Sequence, residues 1–558
     1  MFSLPLLLPW HQLPLPSFHS EWLAFVLGLL VLIALLARAG SVVRLPAIAL
    51  APALLGLVVL LQLALGQVGH PANALVAAGF LLWSTMLAIG GASAARQGGP
   101  ALLASLAWGL LGGSMVNAAV GLIQFAGLDT SIGALVFPAP ARDRYGMLGN
   151  LAQANHFATH LALGMAALLW LRENARIGRV PGSAAFLLLL AALALSGSRS
   201  GLLYIAWLGA LWCIARGRPK RVAWLALLLV ATVAALWLAA RASLLGPQLA
   251  RLVLFSEGAG PRAYFWGHAL EMGYRHPLLG VGIDGFAQAL VSQLQAGERV
   301  WEIDQYAHNL LLQLLAVTGL TGLAALALPG ALFVRRLWRA PRDASALWPW
   351  GVLGILFIHS MLEQPLYYAY FLGIASHVAG AADPCHWSPL PQRRLRTALL
   401  TIAAAAVAPL ALAARDFPVL QGAFYAAEGL NPAQLALLRR VQLGSPLAPY
   451  AELLAPGQFS GPSASQQLTF NTRLMGFAPT AEVLFRQALL LAALGQQQAA
   501  RQQWVRAARA YPGQAAQYSA HAVAAAPQGI EMGKLAVFAI ELGQGAPAPA
   551  SASASFKP

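Results

Sequence analysis

The residues with the most suggestive chemistry are His308 and Asn309, where a polar segment meets a long apolar stretch. An unperturbed histidine has a pKa of about 6.5, so its imidazole can exchange a proton near neutral pH. A single histidine at the edge of a membrane is more often structural than catalytic. His308, however, directly follows the arginine-containing loop 241–307, on which a phosphate ligand would dock. We therefore predict that His308 is catalytic and that Asn309 lines the same cavity.

Two arginines stand at positions where helices are expected to begin. Arg199 lies within the small-residue run Ser196–Gly201, and Arg262 directly follows Pro261. A helix N-terminus beside a guanidinium group suits a phosphate, because both contribute hydrogen-bond donors and positive charge. Two such positions predict a pyrophosphate site. The alternative is that both arginines only reach lipid head groups.

Glu363 and a polar helix start complete the candidate site. Glu363 is the only acidic residue in a short turn between two apolar stretches, and an ionisable group there is a functional candidate. It could also merely pair with a loop arginine. Gln153, Asn155 and His156 predict a polar cavity wall. His156 and His160 have a spacing that can bind metal, but no third ligand is close in sequence, so we expect no metal.

Composition predicts how these residues are held. The chain is 59% hydrophobic and 10% charged, with a mean hydropathy of +0.65, which is too few charges to solvate a globular surface. The apolar stretches approach the about 20 residues that span a bilayer. About twelve spans are expected, as helices of an all-α bundle. They lie near 22–37, 45–64, 74–92, 101–127, 151–171, 183–196, 200–215, 222–240, 308–334, 345–362, 366–382 and 397–414.

The net charge of +16 is distributed unevenly between the two sides of the predicted bundle. Alternate connections carry nearly all the short-loop arginines, whereas segments 1–21, 65–73 and 363–365 contain no Lys or Arg. The positive-inside rule places the arginine-rich connections in the cytoplasm. Both chain ends and the loops 128–150 and 241–307 then face outward. The basic excess therefore reflects topology, and no nucleic-acid partner is expected.

Loop 241–307 and the C-terminal region carry further local signals. Residues 261–274 predict a helix that Pro277 ends. Residues 280–285 match the glycine spacing of a dinucleotide-binding fingerprint, but no strand is expected before them, so we predict a tight turn. Residues 481–512 have the spacing of a tetratricopeptide helix pair turning at Gly495, which must pack on flanking helices, 431–455 and 514–543, or on the outer loops.

The predicted domain layout follows from these signals. Residues 1–414 form a transmembrane domain that includes loop 241–307, and residues 415–544 form a periplasmic helical domain resembling tetratricopeptide repeats. The Ala-, Pro- and Ser-rich tail 545–558 is expected to be disordered.

Taken in order, these motifs resemble the bacterial O-antigen ligase and polymerase superfamily, and more narrowly its protein O-oligosaccharyltransferase (PglL-like) branch. The resemblance covers about residues 140–380, and each motif is weak alone. The motifs are GNLAQANH at 149–156, SRS at 198–200, Arg262 with Trp266, PLLGVG at 277–282, AHN at 307–309 and HSMLEQPL at 359–366.

The resemblance implies a fold similar to GT-C glycosyltransferases and an enzyme of the bacterial inner membrane. It would move a preassembled glycan from an undecaprenyl-diphosphate carrier to Ser/Thr hydroxyls of periplasmic proteins such as pilin, without a metal or other cofactor. His308 matches the family's essential loop histidine, and Arg199 and Arg262 match the arginines that hold the diphosphate. Glu363 would orient the acceptor or His308. His308 could act as a general base or as a hydrogen-bonding stabiliser.

Two other functions fit the same residues. A ligase acting on lipid A–core, or an O-antigen polymerase, would use the same donor with another acceptor. A transporter of lipid-linked sugar or another anion would also need outward arginines, but it would not need His308.

The C-terminal domain would have one of two roles: it would present a protein acceptor, or it would act as a lid over loop 241–307.

Overall fold

The protein folds almost entirely into helices. The computed structural model describes residues 2–38, 42–139, 147–246, 249–250, 253, 260–296, 298, 300–301, 303–339, 347–387, 391–426 and 429–544. Within these ranges the only strands are the antiparallel pair Leu45–Pro46 and His386–Trp387. The predicted all-α class is confirmed. The predicted disordered tail 545–558 lies outside the described residues.

The α-helices follow one another with short connections. In chain order they are α1 Phe18–Ala37, α2 Leu50–Ala64, α3 Pro71–Ala126, α4 Asp129–Ile132, α5 Ala154–Glu173, α6 Arg179–Leu195, α7 Ser200–Ala215, α8 Arg221–Arg241, α9 Gly260–Arg275, α10 Phe286–Gln293, α11 Leu310–Arg339, α12 Leu347–Ser360, α13 Ala369–Ala382, α14 Gln392–Ala405, α15 Val407–Phe424, α16 Pro432–Gly444, α17 Ala448–Leu454, α18 Pro456–Phe459, α19 Ala464–Phe477, α20 Ala481–Ala493, α21 Gln497–Ala510, α22 Ala515–Ala525 and α23 Ile530–Gln544.

Seven helical segments in the described part of the chain are long and apolar enough to cross a membrane. They are Phe18–Ala37, Ala47–Ala64, Pro71–Arg96, Ala101–Ala126, Arg221–Arg241, Leu310–Arg339 and Gln392–Phe424. Helices α6, α7, α12 and α13 are apolar but shorter. The predicted helical membrane bundle is confirmed, and every predicted span overlaps a helix. The count of about twelve stays a prediction, because the shorter helices do not meet the length criterion by themselves and α5, with 20 residues, is not among the segments apolar enough to span.

Two features of the bundle differ from the expected segments. The last span continues as a helix past residue 414 to Phe424. The N-terminal segment, whose outer side stays a prediction, packs into the bundle: Leu6 is buried, and the Ser3 hydroxyl donates to the Gly109 carbonyl at 2.8 Å. An apolar segment gains by such burial, since each buried methylene contributes about 0.8 kcal/mol.

Helix α5 lies at the centre of the membrane bundle, surrounded by α3, α6, α7 and α12. From His156 to Leu168 every residue of α5 is buried. Small residues allow this close packing, as where Gly164 meets the side chain of Ser114. The start of α5 is thereby fixed at one end of the bundle, which we call the His308 end.

The C-terminal helices pack against the loop before His308. The predicted helix pair is confirmed as α20 and α21, with Gly495 turning between them at φ 77°. Trp504 is buried against Phe485. Val291 and Leu294 from the loop region join the same hydrophobic core. Helix α19, which lies between the predicted flanking helices, was not expected from the sequence.

The glycine-rich segment 280–285 is a tight turn, as predicted. Gly282 has φ 98°, and a Cβ there would collide with the carbonyl oxygen of Gln67. The Asp284 carboxylate accepts hydrogen bonds from the backbone N–H groups of Gly69 and His70, at 2.9 and 3.0 Å. The turn therefore joins the loop to the connection between α2 and α3 at the His308 end.

Candidate active site

His308 lies in an irregular segment immediately before α11. Its φ of 52° is unusual for a residue other than glycine, and strain of this kind persists only where surrounding contacts hold it. Asn309 supplies one such contact: its side-chain oxygen accepts from the backbone N–H groups of Leu311 and Leu312, each at 3.1 Å. The Gln313 side chain accepts from the Ala307 N–H at 2.7 Å. The first turn of α11 thus fixes the histidine's backbone.

The imidazole of His308 is held between two carboxylates. Its Nδ1 lies 3.0 Å from Oε2 of Glu363, and its Nε2 lies 3.0 Å from Oδ2 of Asp304. Asp304 is itself positioned by the Tyr306 N–H, which donates to its other oxygen at 3.1 Å. The predicted partner Glu363 is therefore in direct contact with His308. Asp304 was not predicted as a site residue.

Glu363 connects several parts of the chain. Its Oε1 accepts from Asn155 at 3.2 Å, at the start of α5, and from Arg262 at 3.1 Å, near the start of α9. Arg262 also donates through Nε to the Leu362 carbonyl at 3.1 Å. The turn between α12 and α13 therefore brings together three predicted site residues and His308.

The two carboxylates decide the charge of His308. Burial by itself disfavours the imidazolium, but the hydrogen bonds to Asp304 and Glu363 and their negative charges outweigh it and raise the pKa of His308 to about 9. Burial would raise the pKa of Glu363, yet the hydrogen bond from His308 and the charges of His308 and Arg262 lower it. At neutral pH the site is thus a row of alternating charges from Arg262 through Glu363 and His308 to Asp304, and both ring N–H groups donate.

Arg199 is the residue that precedes α7, and its side chain is exposed. The neighbouring Ser198 hydroxyl donates to Oδ1 of Asn155 at 2.7 Å and also contacts the Ser200 hydroxyl. Because Asn155 in turn binds Glu363, the start of α7 lies beside the site. The predicted arginines thus flank one cluster, and the Arg262 side chain is 45% exposed.

Gln153 and His156 occupy different depths of the predicted cavity wall. Gln153 precedes α5 and is partly exposed. His156 is buried in the bundle, where its Nδ1 lies 3.2 Å from the Tyr370 hydroxyl and its ring contacts Tyr368. His156 therefore belongs to the layer beneath the site and does not contact the row of charges directly. The spacing of three residues between Gln153 and His156 could not distinguish these depths, because a helical spacing puts both on one face.

An all-helical, multi-span membrane bundle whose helix ends join an imidazolium, two carboxylates and exposed arginines defines a class: a membrane protein with a polar, charge-paired site at one surface. Comparisons with known proteins narrow this class. Residues 184–327 match the family model described as O-antigen ligase, and residues 148–171 match the protein glycosylation ligase model. Residues 347–526 match the C-terminal model of a virulence factor membrane-bound polymerase. Every predicted site residue falls within one of these matches.

A curated relative points the same way. The General O-oligosaccharyltransferase of Acinetobacter baylyi is 25% identical over 395 residues, which cover 67% of this chain. The match spans 66% of that relative, just under two thirds of its length. The predicted resemblance to the O-antigen ligase superfamily and its protein O-oligosaccharyltransferase branch is confirmed. The matches support an enzyme of the glycosyltransferase type.

Proposed function

We propose that this protein transfers a preassembled glycan from an undecaprenyl-diphosphate carrier to Ser/Thr hydroxyls of periplasmic proteins, with pilin-like proteins as acceptors. The observation that carries the proposal is the clamped imidazolium: His308 is held between Asp304 and Glu363, beside the exposed Arg262. A transporter needs arginines for an anion, but it gains nothing from a histidine so strongly held in its charged form.

Two arginines would bind the donor's diphosphate, and His308 would add positive charge beside it. Arg199 and Arg262 present planar guanidinium groups, which suit phosphate oxygens, and His308 adds a third positive charge. As the bond between the anomeric carbon and the diphosphate oxygen breaks, its electron pair leaves on the diphosphate. Preorganised cations stabilise that growing charge more in the transition state than in the bound donor, which is the condition for faster chemistry.

The acceptor's proton would go to a carboxylate. The acceptor oxygen forms the new bond to the anomeric carbon, and its hydroxyl proton must leave. A charged His308 has no free lone pair, so we assign the proton to Asp304, with His308 as the hydrogen-bonding stabiliser of that carboxylate. Asp304 is better suited than Glu363, because Glu363 already accepts from Asn155, Arg262 and His308.

A transfer assay with purified protein and a defined lipid-linked glycan tests this function. We expect glycosylation of pilin and none of lipid A–core. In this assay His268→Ala is the matched control for a substitution of His308. His268 also contacts a carboxylate, Glu298, at 3.0 Å, and it lies on α9 away from the row of charges. Transfer to lipid A–core or to a growing glycan would instead favour the ligase or polymerase. Uptake of the lipid without transfer to any acceptor would favour a transporter.

We further propose that the protein lies in the bacterial inner membrane with the His308 end facing the periplasm. The support is the absence of Lys and Arg from segments 65–73 and 363–365, compared with the arginine-rich opposite connections. Reporter fusions after residues 285 and 450 should be periplasmic, and fusions after 218 and 395 cytoplasmic. A cytoplasmic reporter at 285 would refute both this orientation and the periplasmic reaction.

The C-terminal domain is proposed to present the protein acceptor. It packs on the loop through Val291 and Leu294, and the buried Glu452 lies 3.2 Å from His70 in the connection between α2 and α3. Because helix α15 continues to Phe424, truncation is best made after this residue. Loss of protein glycosylation with retained binding of lipid-linked donor would support presentation. Loss of both would support a lid that holds the loop.

A further inference from the structure

A second feature of the membrane bundle lies away from the candidate active site. Helices α2 and α11 enclose an apolar groove of about 460 Å³, within the about 300–1,000 Å³ usual for ligand clefts. Its walls are mainly leucines: Leu50, Leu54, Leu57, Leu61, Leu328 and Leu332. On the α11 side, Ala324, Ala325 and Pro329 leave the hollow between these walls. Both helices are membrane-spanning candidates, so the groove opens where lipid chains are the solvent.

The length of the groove matches one leaflet of a bilayer. From Leu50 to Leu61 a helix rises about 16 Å, at about 1.5 Å per residue. This is about half of a hydrocarbon core about 30 Å thick. A single acyl chain that enters from one surface therefore fills the groove without crossing the midplane.

The groove has a charged end. Arg336 lines it, one turn beyond Leu332, and the exposed Arg335 and Arg339 flank it on the same helix. Arg336 donates to the Asp383 carboxylate at 3.3 Å, and 26% of its side chain is exposed. Asp383 is already held by the Ile48 and Cys385 N–H groups, at 2.8 and 3.0 Å. Because a guanidinium group has five N–H donors, Arg336 keeps donors for an anion beside its contact with Asp383.

We propose that this groove binds an anionic glycerophospholipid, with the phosphate of its head group at Arg336 and one acyl chain along α2 and α11. The positive charge at the Arg336 end of the groove selects an anionic lipid, and the length of the apolar part accommodates one acyl chain. The occupant differs from the proposed glycan donor. Helix α11 is interrupted at Gly319, where the backbone is not helical, and its second stretch alone places Arg336 about 25 Å beyond that interruption, at about 1.5 Å per residue. The site is therefore independent of the proposed function.

Native mass spectrometry of the full-length protein tests the proposal, with dioleoyl phosphatidylglycerol and dioleoyl phosphatidylcholine as probes. We expect phosphatidylglycerol to be retained in preference to phosphatidylcholine. Arg336→Gln should weaken its binding about fivefold, the effect of one basic side chain at an anionic surface. Ala324→Phe fills the groove and leaves the pair of Arg336 and Asp383 intact, so it should reduce retention even if Arg336→Gln folds poorly. The matched control is Ala231→Phe, on the exposed face of α8.

Three outcomes would overturn the proposal. The first is equal retention of the two lipids, which means a non-selective lipid shell. The second is equal retention by Ala324→Phe and Ala231→Phe, which places the lipid elsewhere. The third is that Ala324→Phe weakens binding of undecaprenyl phosphate and not of phosphatidylglycerol, which assigns the groove to a polyprenyl tail. None of these measurements depends on glycan transfer.

Discussion

The charge of His308 predicts how transfer should depend on pH. The ordinary pKa of histidine is 6.5 and that of His308 is about 9, a difference worth about 3 kcal/mol in favour of the charged ring. This free-energy difference is an upper value, because 19% of the His308 side chain is exposed and solvent there screens the charges. If charged His308 supports transfer, the rate should stay level from about pH 7 to 8 and fall as the pH rises through about 9.

Glu363→Gln should move this fall to lower pH. The substitution removes one of the two carboxylates that hold the imidazolium and leaves the positive Arg262 nearby. An opposite charge at this distance typically changes a pKa by about 1–3 pH units, so we expect the pKa of His308 to fall by at least about one unit. The residual rate of the variant should then decline near pH 8 instead of 9. Glu271→Gln is the control, since the exposed Glu271 pairs with Arg275 along the same helix α9.

The assay is the initial rate of glycan transfer between pH 6 and 10, at saturating donor. Thermal unfolding over the same range provides a second readout. The raised pKa means that the charged ring stabilises the fold fully below about pH 6.5, and that this contribution is lost as the pH rises through about 9. A wild-type rate that climbs from pH 7 to 9 would mean that neutral His308 is the base, and the assignment to Asp304 would be refuted.

Three further variants test the site and the domain that holds its loop. His308→Ala should reduce transfer by about 10²–10³, the effect of losing one stabilising donor, with donor binding retained when measured with labelled lipid; near-normal transfer contradicts a catalytic role. Arg199→Lys and Arg262→Lys should each weaken donor binding about tenfold because lysine lacks the planar fork, whereas normal binding would make these arginines head-group anchors. Trp504→Ala should cost about 3–5 kcal/mol of unfolding free energy, measured by denaturant titration, because it empties a buried site; a change below 1 kcal/mol would contradict this packing.

The sequence was informative where a local pattern decides the structure. Apolar runs predicted the helices, and Pro277 and Gly495 predicted where a helix ends and where a pair turns. His308 and Glu363 were found because each is an isolated ionisable residue at the end of an apolar stretch. Their mutual contact could not be predicted, because it depends on how α11 and the turn after α12 pack.

Asp304 shows a different limit. It stands four residues before His308, a spacing that brings side chains together in a helix, but the segment between them is irregular. The backbone at His308 is left-handed, with φ 52°, so the contact with Asp304 does not arise from the helical geometry that this spacing assumes. The N-terminal segment is similar: its composition predicted a short outer end, but not that Leu6 would be buried or that Ser3 would contact Gly109 more than a hundred residues away.

The position of Arg262 connects the C-terminal domain to the chemistry. Arg262 lies on α9, which packs on α11 and on α10, and α10 is in turn held by the C-terminal helices α19 and α21. The connection between α2 and α3 is held by the same domain through Glu452, and by the loop through Asp284. The guanidinium therefore reaches Glu363 only when helices far apart in sequence are docked. A displacement of about 1 Å at such a site can lower the rate about 10²-fold, because reacting groups must be aligned. Loosening the C-terminal core should consequently slow transfer even where every residue of the row of charges is intact.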